Sequence, residues 1–134
     1  MAAGLIAETT FLIDLERERR RQTTGVAHRF LAGHAADRFY VTFTIAGELA
    51  AGASLAERSA WEEFLAPFFV LPATPDVCWE YGRAFLHLQR TGRLIGSNDL
   101  WIAATAVAHG LPVVTANVEH YHRVPGLEVV GYRH

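Results

Sequence analysis

Lysine is absent from this chain: all twelve of its basic residues are arginine. That excludes a phosphate-loop lysine, a Schiff-base lysine and the lysine of a phospho-receiver domain, while leaving the side chain better suited to bidentate phosphate contacts. Cysteine is nearly absent. The single thiol, Cys78, excludes an internal disulfide and fits a reducing compartment, and its apolar neighbours predict a buried structural role. No apolar run approaches the ~18 residues that cross a bilayer. The opening run is short, is broken by Glu8 and has its basic residues after it, so neither a secretory leader nor a membrane span is expected and a cytoplasmic location is. Neither sign of charge dominates, with 12 basic against 14 acidic side chains and a net charge of −2. Any nucleic-acid contact must therefore use a local basic patch. A glycine-rich phosphate loop is missing too. Glu8-Thr9-Thr10 stands after the first candidate strand, and an anionic strand end repels a pyrophosphate.

What is present is a core-forming composition. Hydrophobic residues make up 51% of 134 and charged residues 19%, which predicts one globular domain over 1–134. Gly4–Ala7 reads as a short central strand. Thr9 or Thr10 can cap a helix carrying Phe11, Leu12 and Leu15, which turns charged from Glu16 to Arg21. The arginines at 17, 19, 20 and 21 read equally as phosphate contacts or as a solvated helix end. A second helix is expected over Thr23–Ala36, a strand over Phe39–Thr42 and a small-residue helix over Phe43–Gly52. Ser54–Pro67 follows as an amphipathic helix and Phe68–Leu71 as a strand. Pro75–Arg90 is a long helix with Val77, Trp79, Tyr81, Ala84, Phe85 and Leu88 inward. Ser97 or Asn98 caps a nearly all-apolar helix that Gly110 ends, Val113-Val114 is a buried strand, and Leu127–Val130 is the last. Strands alternating with helices predict a parallel sheet covered on both faces.

Three acids in this pattern lack obvious local partners. Glu8 follows the first strand, Glu48 lies mid-helix with no basic residue three or four positions away, and Asp99 opens a buried helix. Singly, Glu8 and Asp99 read as ordinary acids at helix starts. Together they read differently, because strand ends and helix starts at the carboxyl edge of a parallel sheet converge on one cleft. Carboxylates gathered there repel one another unless a cation holds them. Oxygen ligands of this kind suit Mg²⁺ or Mn²⁺ completed by phosphate oxygens, a site that activates water against a phosphodiester.

At this point the chain resembles the PIN-domain ribonucleases, and within them the VapC-like toxins of bacterial toxin–antitoxin pairs. The resemblance covers nearly the whole chain. Its strongest part is IGSNDLWIAATAVAHGLPVVTANVEHYHRVPGLEVV; LIAETTFLIDLERE is similar to the family's opening, and FTIAGEL to the helix that carries its second acid. The resemblance implies a three-layer α/β/α domain with a short, mainly parallel sheet, acting as a Mg²⁺- or Mn²⁺-dependent endoribonuclease. It implies catalytic roles for Glu8, Glu48, Asp99 and Asn117, and metal ligation by Glu8, Glu48, Asp99 and Glu119. Thr10, Thr115 and His120 are expected to hold the acids from behind. Two positions depart from the family: Glu8 stands where Asp is usual, one methylene longer, and His120 occupies the commonest slot of the fourth acid. His120 and His122 could alternatively form a His-x-His metal pair. The implied partners are an RNA substrate, with tRNA among the candidates, a VapB-like antitoxin laid over the acidic cleft, and a second copy in a homodimer. The alternative is a PIN-like module that binds RNA or protein without cutting, for which Glu8 and the missing fourth acid are the support.

Overall fold

A computed structural model of the chain describes residues 4–133; residues 1–3 and 134, the ends of the expected 1–134 domain, lie outside the described residues. Five strands run in order: β1 (Gly4–Ala7), β2 (Arg38–Thr42), β3 (Phe69–Leu71), β4 (Val113–Val114) and β5 (Val129–Val130). They form one sheet in the order β3-β2-β1-β4-β5, with every pairing parallel. The helices are α1 (Thr9–Arg20), α2 (Val26–Gly33), α3 (Phe43–Ala50), α4 (Arg58–Leu65), α5 (Pro75–Arg90), α6 (Ser97–His109) and the single-turn α7 (Val118–Tyr121).

The apolar run of β1 makes it the centre of the sheet. Ile6 and Ala7 are fully buried, as a parallel strand covered on both faces requires. Phe11, Leu12, Ile45, Leu100, Ile102, Val113 and Val114 close around it. From β1 the chain goes one way through β2 and β3, then returns to add β4 and β5 on the other side. The order therefore reverses between β1 and β4, and in open parallel sheets a ligand cleft forms at the carboxyl end of that reversal. Among the described residues no helix is long and apolar enough to cross a membrane.

Local chemistry explains where the helices differ from the sequence pattern. The second helix begins at Val26 rather than Thr23 because its N-terminus is capped from a distance. The Glu18 carboxylate of α1 accepts hydrogen bonds from the backbone N–H groups of Gly25, Ala27 and His28 at 2.9–3.0 Å, and from His28 Nδ1 at 2.7 Å. Glycine at 25 leaves room for that carboxylate, which a Cβ there would meet at 2.5 Å and displace from the cap. The expected Ser54–Pro67 helix is interrupted: Ala53–Leu55 is a 3-10 turn and α4 starts only at Arg58. Helix α6 uses Gly96, not Ser97 or Asn98, at its cap, and ends at Gly110, whose φ of 65° suits a residue without Cβ. Two expectations for α5 are corrected. Cys78 is exposed rather than buried, and Trp79 points outward at 63% exposure with Arg83 lying over its ring at 4.5 Å. Val77, Ala84 and Leu88 supply the buried face, so 78 and 79 fall on the opposite side of the helix.

Glu18 generates a pH prediction. Burial would raise its carboxyl, but the hydrogen bonds from His28, Ala27 and Gly25 together outweigh that and hold it below its ordinary value. A group depressed by folding contributes fully above its unfolded value and loses that contribution as pH falls through the folded one. Glu18→Ala is expected to cost about 1–2 kcal/mol near neutrality, as loss of a good cap does, with the difference from wild type shrinking in acid. Urea denaturation across that pH range checks both statements; a difference independent of pH contradicts the second.

Candidate functional site

Glu8 is the first residue past β1, and it is buried at 2% exposure. Its backbone N–H continues the sheet by donating to Val114 O at 3.0 Å, while its side chain caps α1 by accepting from Thr10 N at 2.9 Å. The residue is thus at once the end of a strand and the N-cap of a helix, the place given by sequence to Thr9 or Thr10. Three donors converge on its Oε2: Thr10 N, Thr10 Oγ1 at 2.6 Å and Thr115 Oγ1 at 2.8 Å. Thr115 is fully buried just past β4, and its hydroxyl also accepts from Asn117 N at 3.0 Å. Thr10 Oγ1 in turn accepts from Ala116 N at 3.0 Å. Two neighbouring strand ends are stitched together through one carboxylate.

The other oxygen of Glu8 faces α6. Tyr121, fully buried at the end of α7, places its hydroxyl 3.3 Å from Glu8 Oε1 and 3.1 Å from Asp99 Oδ1. Asp99 Oδ2 accepts from His120 Nε2 at 2.8 Å. The Asp99 and His120 side chains are each about a third exposed, at 30% and 32%, so the group opens to solvent on their side and is closed by Tyr121 beneath. Glu48 reaches the same edge from α3 by a different route: its Oε1 accepts from Thr9 Oγ1 at 2.7 Å, the neighbour of Glu8 in the chain. Its missing partner is therefore a hydroxyl across 39 positions, which no helical spacing could reveal.

The remaining expected residues take other places. Asn117 is exposed, as is Glu119, while its neighbour His120 is the one that meets Asp99; His122 is exposed and apart from that contact. Tyr121 was not singled out by sequence reasoning. A tyrosine among Glu119, His120, His122 and Arg123 carries no periodic signal, and only the fold shows its hydroxyl aimed at two acids. Of the arginine run, Arg20 pairs with Glu16 at 3.1 Å, Arg17 lies 3.6 Å from Asp14, and Arg19 lies over the Phe64 ring. Arg17 and Arg20 also line a cavity of about 130 Å³ beside Glu48. On the other side of Glu48, Phe43, Thr44, Asn98 and Trp101 line an open depression of about 470 Å³.

Burial pushes the Glu8 carboxyl above its ordinary value; the hydrogen bonds from Thr10 and Thr115 pull it back, and the charge of Asp99 adds to the rise. The Tyr121 hydroxyl is driven far upward by desolvation first and then by the charges of Glu8 and Asp99, so it stays a neutral donor. Among the described residues no three His, Cys, Asp or Glu side chains form a ready-made cluster for a metal ion. What the site offers is a pair of carboxylates converging on one point with a third joined through Thr9. That pair fits a hard cation such as Mg²⁺, which takes one or two carboxylates, keeps waters and is completed by substrate oxygens.

The chain matches the PIN domain family over residues 5–127. It belongs to that family. This PIN domain is 31% identical to ribonuclease VapC1 of Rickettsia felis across 95% of both chains. It superposes on VapBC-1 of nontypeable Haemophilus influenzae with a TM-score of 0.79 at 28% identity, covering 96% of this chain and 98% of that one. It shares its fold with VapBC2 of Rickettsia felis, solved bound to a promoter DNA fragment, at a TM-score of 0.82 and 21% identity, over 97% and 99% of the two chains.

The Thr115 hydroxyl holds Glu8 and the backbone of Asn117 together, so Thr115→Val keeps the shape and removes both bonds. Leaving a buried carboxylate one donor short is expected to cost about 1–3 kcal/mol. Thermal or denaturant unfolding measures it, and an unchanged midpoint would show that Thr10 alone suffices to hold Glu8.

Proposed function

We propose that this PIN domain is an endoribonuclease toxin of the VapC type, requiring Mg²⁺ or Mn²⁺ and cutting RNA phosphodiester bonds by hydrolysis. The observation that carries the reading is the convergence of Glu8 and Asp99, from two elements 91 positions apart, on one partly open point at the carboxyl edge of the sheet. Glu8 and Asp99 would hold the cation, with Glu48 completing the acidic set through its tie to Thr9 and Glu119 on the open side. When bound, such a cation supplies Lewis-acid activation of water and offsets the phosphate charge as it builds. The chain's own groups do the rest. Thr10 and Thr115 fix Glu8 against rotation, and His120 Nε2 holds a proton against Asp99 Oδ2, orienting that carboxylate. Asn117, exposed beside them, offers an amide to the substrate.

RNA as the substrate is supported by the arginines beside Glu48. Arg17 and Arg20 line the adjoining cavity, where either guanidinium can exchange its helix acid, Asp14 or Glu16, for a phosphate. A VapB-like antitoxin is supported by similar solved structures that include VapBC-5 of Mycobacterium tuberculosis, a member of the VapBC family of toxin–antitoxin systems. An apolar groove of about 340 Å³ between α1, α2 and α4, walled by Leu15, Leu31, Phe39, Phe64 and Phe68, gives the apolar side of such a partner a place to lie. Assembly as a homodimer is supported by the apolar edge strand β3, where neighbouring Phe69 and Val70 are both about half exposed.

Cleavage of total RNA and purified tRNA with Mg²⁺, Mn²⁺ or a chelator tests the reading. Wild type is expected to cut only with the metal. Asp99→Asn and Glu48→Gln should fold normally by circular dichroism yet lose at least ~100-fold in rate, the scale of losing an electrostatic catalytic group. Activity retained in Asp99→Asn, or untouched by chelator, sinks the assignment. The double change Arg17→Ala, Arg20→Ala should raise KM for RNA with little effect on kcat; an unaltered KM removes those arginines from the RNA path.

A further inference from the structure

The fold places a hydroxyl where the acidic pair needs a spacer. The three donors that fix Glu8 all reach Oε2, and His120 reaches Oδ2 of Asp99. The two inner oxygens, Glu8 Oε1 and Asp99 Oδ1, meet instead at the Tyr121 hydroxyl, at 3.3 and 3.1 Å. Such a hydroxyl has one proton to give and can donate to only one acid at a time. It therefore gathers the two carboxylates about a single atom, donating to one or the other, without neutralising either. Tyr121 is fully buried, so the packing around it restricts where its hydroxyl can lie. Because Tyr121 closes the group from beneath and Asp99 opens it to solvent, the remaining lone pairs of the inner oxygens are left for a ligand arriving from outside.

The length of residue 8 belongs to the same arrangement. The carboxylate is anchored at Oε2 by hydroxyls at the ends of β1 and β4, and its other oxygen still reaches the phenol. An aspartate here is shorter by one carbon–carbon bond, about 1.5 Å. It cannot keep the Thr10 and Thr115 bonds and also span to Tyr121. We propose that Tyr121 is a positioning residue of the acidic site, its hydroxyl setting the separation of Glu8 and Asp99 so that the two share one divalent cation, and that Glu8 and Tyr121 work as a matched pair. This rests on the metal-dependent nuclease reading and adds to it a residue that touches neither substrate nor metal.

Isothermal titration with Mn²⁺ as the probe, on wild type, Tyr121→Phe, Glu8→Asp and the double variant, tests the pairing directly. Tyr121→Phe is expected to bind Mn²⁺ about 10-fold more weakly, the low end of the loss seen when a residue behind a metal ligand is removed. In cleavage it should lower kcat while leaving KM for RNA unchanged, because no substrate contact is lost. Glu8→Asp should weaken Mn²⁺ binding, and by less in the Tyr121→Phe background, since part of its loss is the bond to Tyr121 that this variant already lacks. Should Tyr121→Phe fail to fold, Tyr121→His, which keeps a ring but not the hydroxyl's reach, takes its place in the same titration, and unaltered Mn²⁺ affinity in it overturns the pairing in the same way. Unaltered Mn²⁺ affinity in Tyr121→Phe, or strictly additive losses, overturns the pairing while wild-type cleavage keeps the nuclease reading. Wild type that neither binds Mn²⁺ nor cuts RNA overturns the nuclease reading, and the pairing with it.

Discussion

Glu8 is a carboxylate at 2% exposure, set at the junction of a central strand and the helix that follows it. A buried charge without partners is among the costliest things a fold can contain. The neighbouring elements must therefore bring donors to it: the first turn of α1, the residue after β4, and the last residue of α7. Parallel pairing of β1 with both β2 and β4 makes this possible, because strand ends then stand side by side at one edge. Geometry and electrostatics constrain each other here. The sheet order sets which strand ends are adjacent, and the need to satisfy Glu8 sets which side chains can stand on them.

The same constraint explains how the site's residues divide their work. Thr10 and Thr115 each both donate to Glu8 and accept from a backbone N–H in the loop after β4, so they are structural and positioning groups in one atom. Removing either would loosen the loop that carries Asn117, His120 and Tyr121. Asp99 is the more exposed acid of the pair, and its orientation depends on two residues adjacent in sequence, His120 and Tyr121, that point to its two oxygens. A single helical turn, α7, thereby fixes both faces of one carboxylate.

The fold was legible where the signal was local. Gly4–Ala7, Pro75–Arg90 and Val113–Val114 show continuous apolar runs or a proline start followed by helical spacing, and the structure agrees with their bounds. Legibility failed where a distant side chain decided the outcome. Glu18 moves the start of α2 from across the α1–α2 turn, and no pattern within Thr23–Ala36 contains that information. In α5 the small and aromatic residues permit two helical faces; Cys78 and Trp79 fell on the outer one because Val77, Ala84 and Leu88 define the inner.

The acids themselves were visible as charges without local partners, yet their partners were not. Glu48 answers to Thr9, and Glu8 to Asp99 through Tyr121, over separations of 39 and more than 90 positions. A carboxylate stranded in apolar sequence states a requirement that something must meet it, and the requirement can be read before the partner can. A hydroxyl took part in each case, with His120 meeting the outer oxygen of Asp99, and a hydroxyl leaves little trace in a hydrophobicity pattern. Hydroxyls suit this edge for a physical reason. An arginine there would neutralise the acids and forfeit the negative field that draws a cation, whereas a hydroxyl satisfies the buried oxygens and leaves their charge in place. The absence of lysine and the placement of the arginines outward from the pair accord with that: Arg17 and Arg20 stand beside Glu48 with their charge directed to Asp14 and Glu16. The centre stays anionic while the guanidiniums at its border are matched to acids of their own helix, so a cation is met first and a phosphodiester after the centre's charge has been offset.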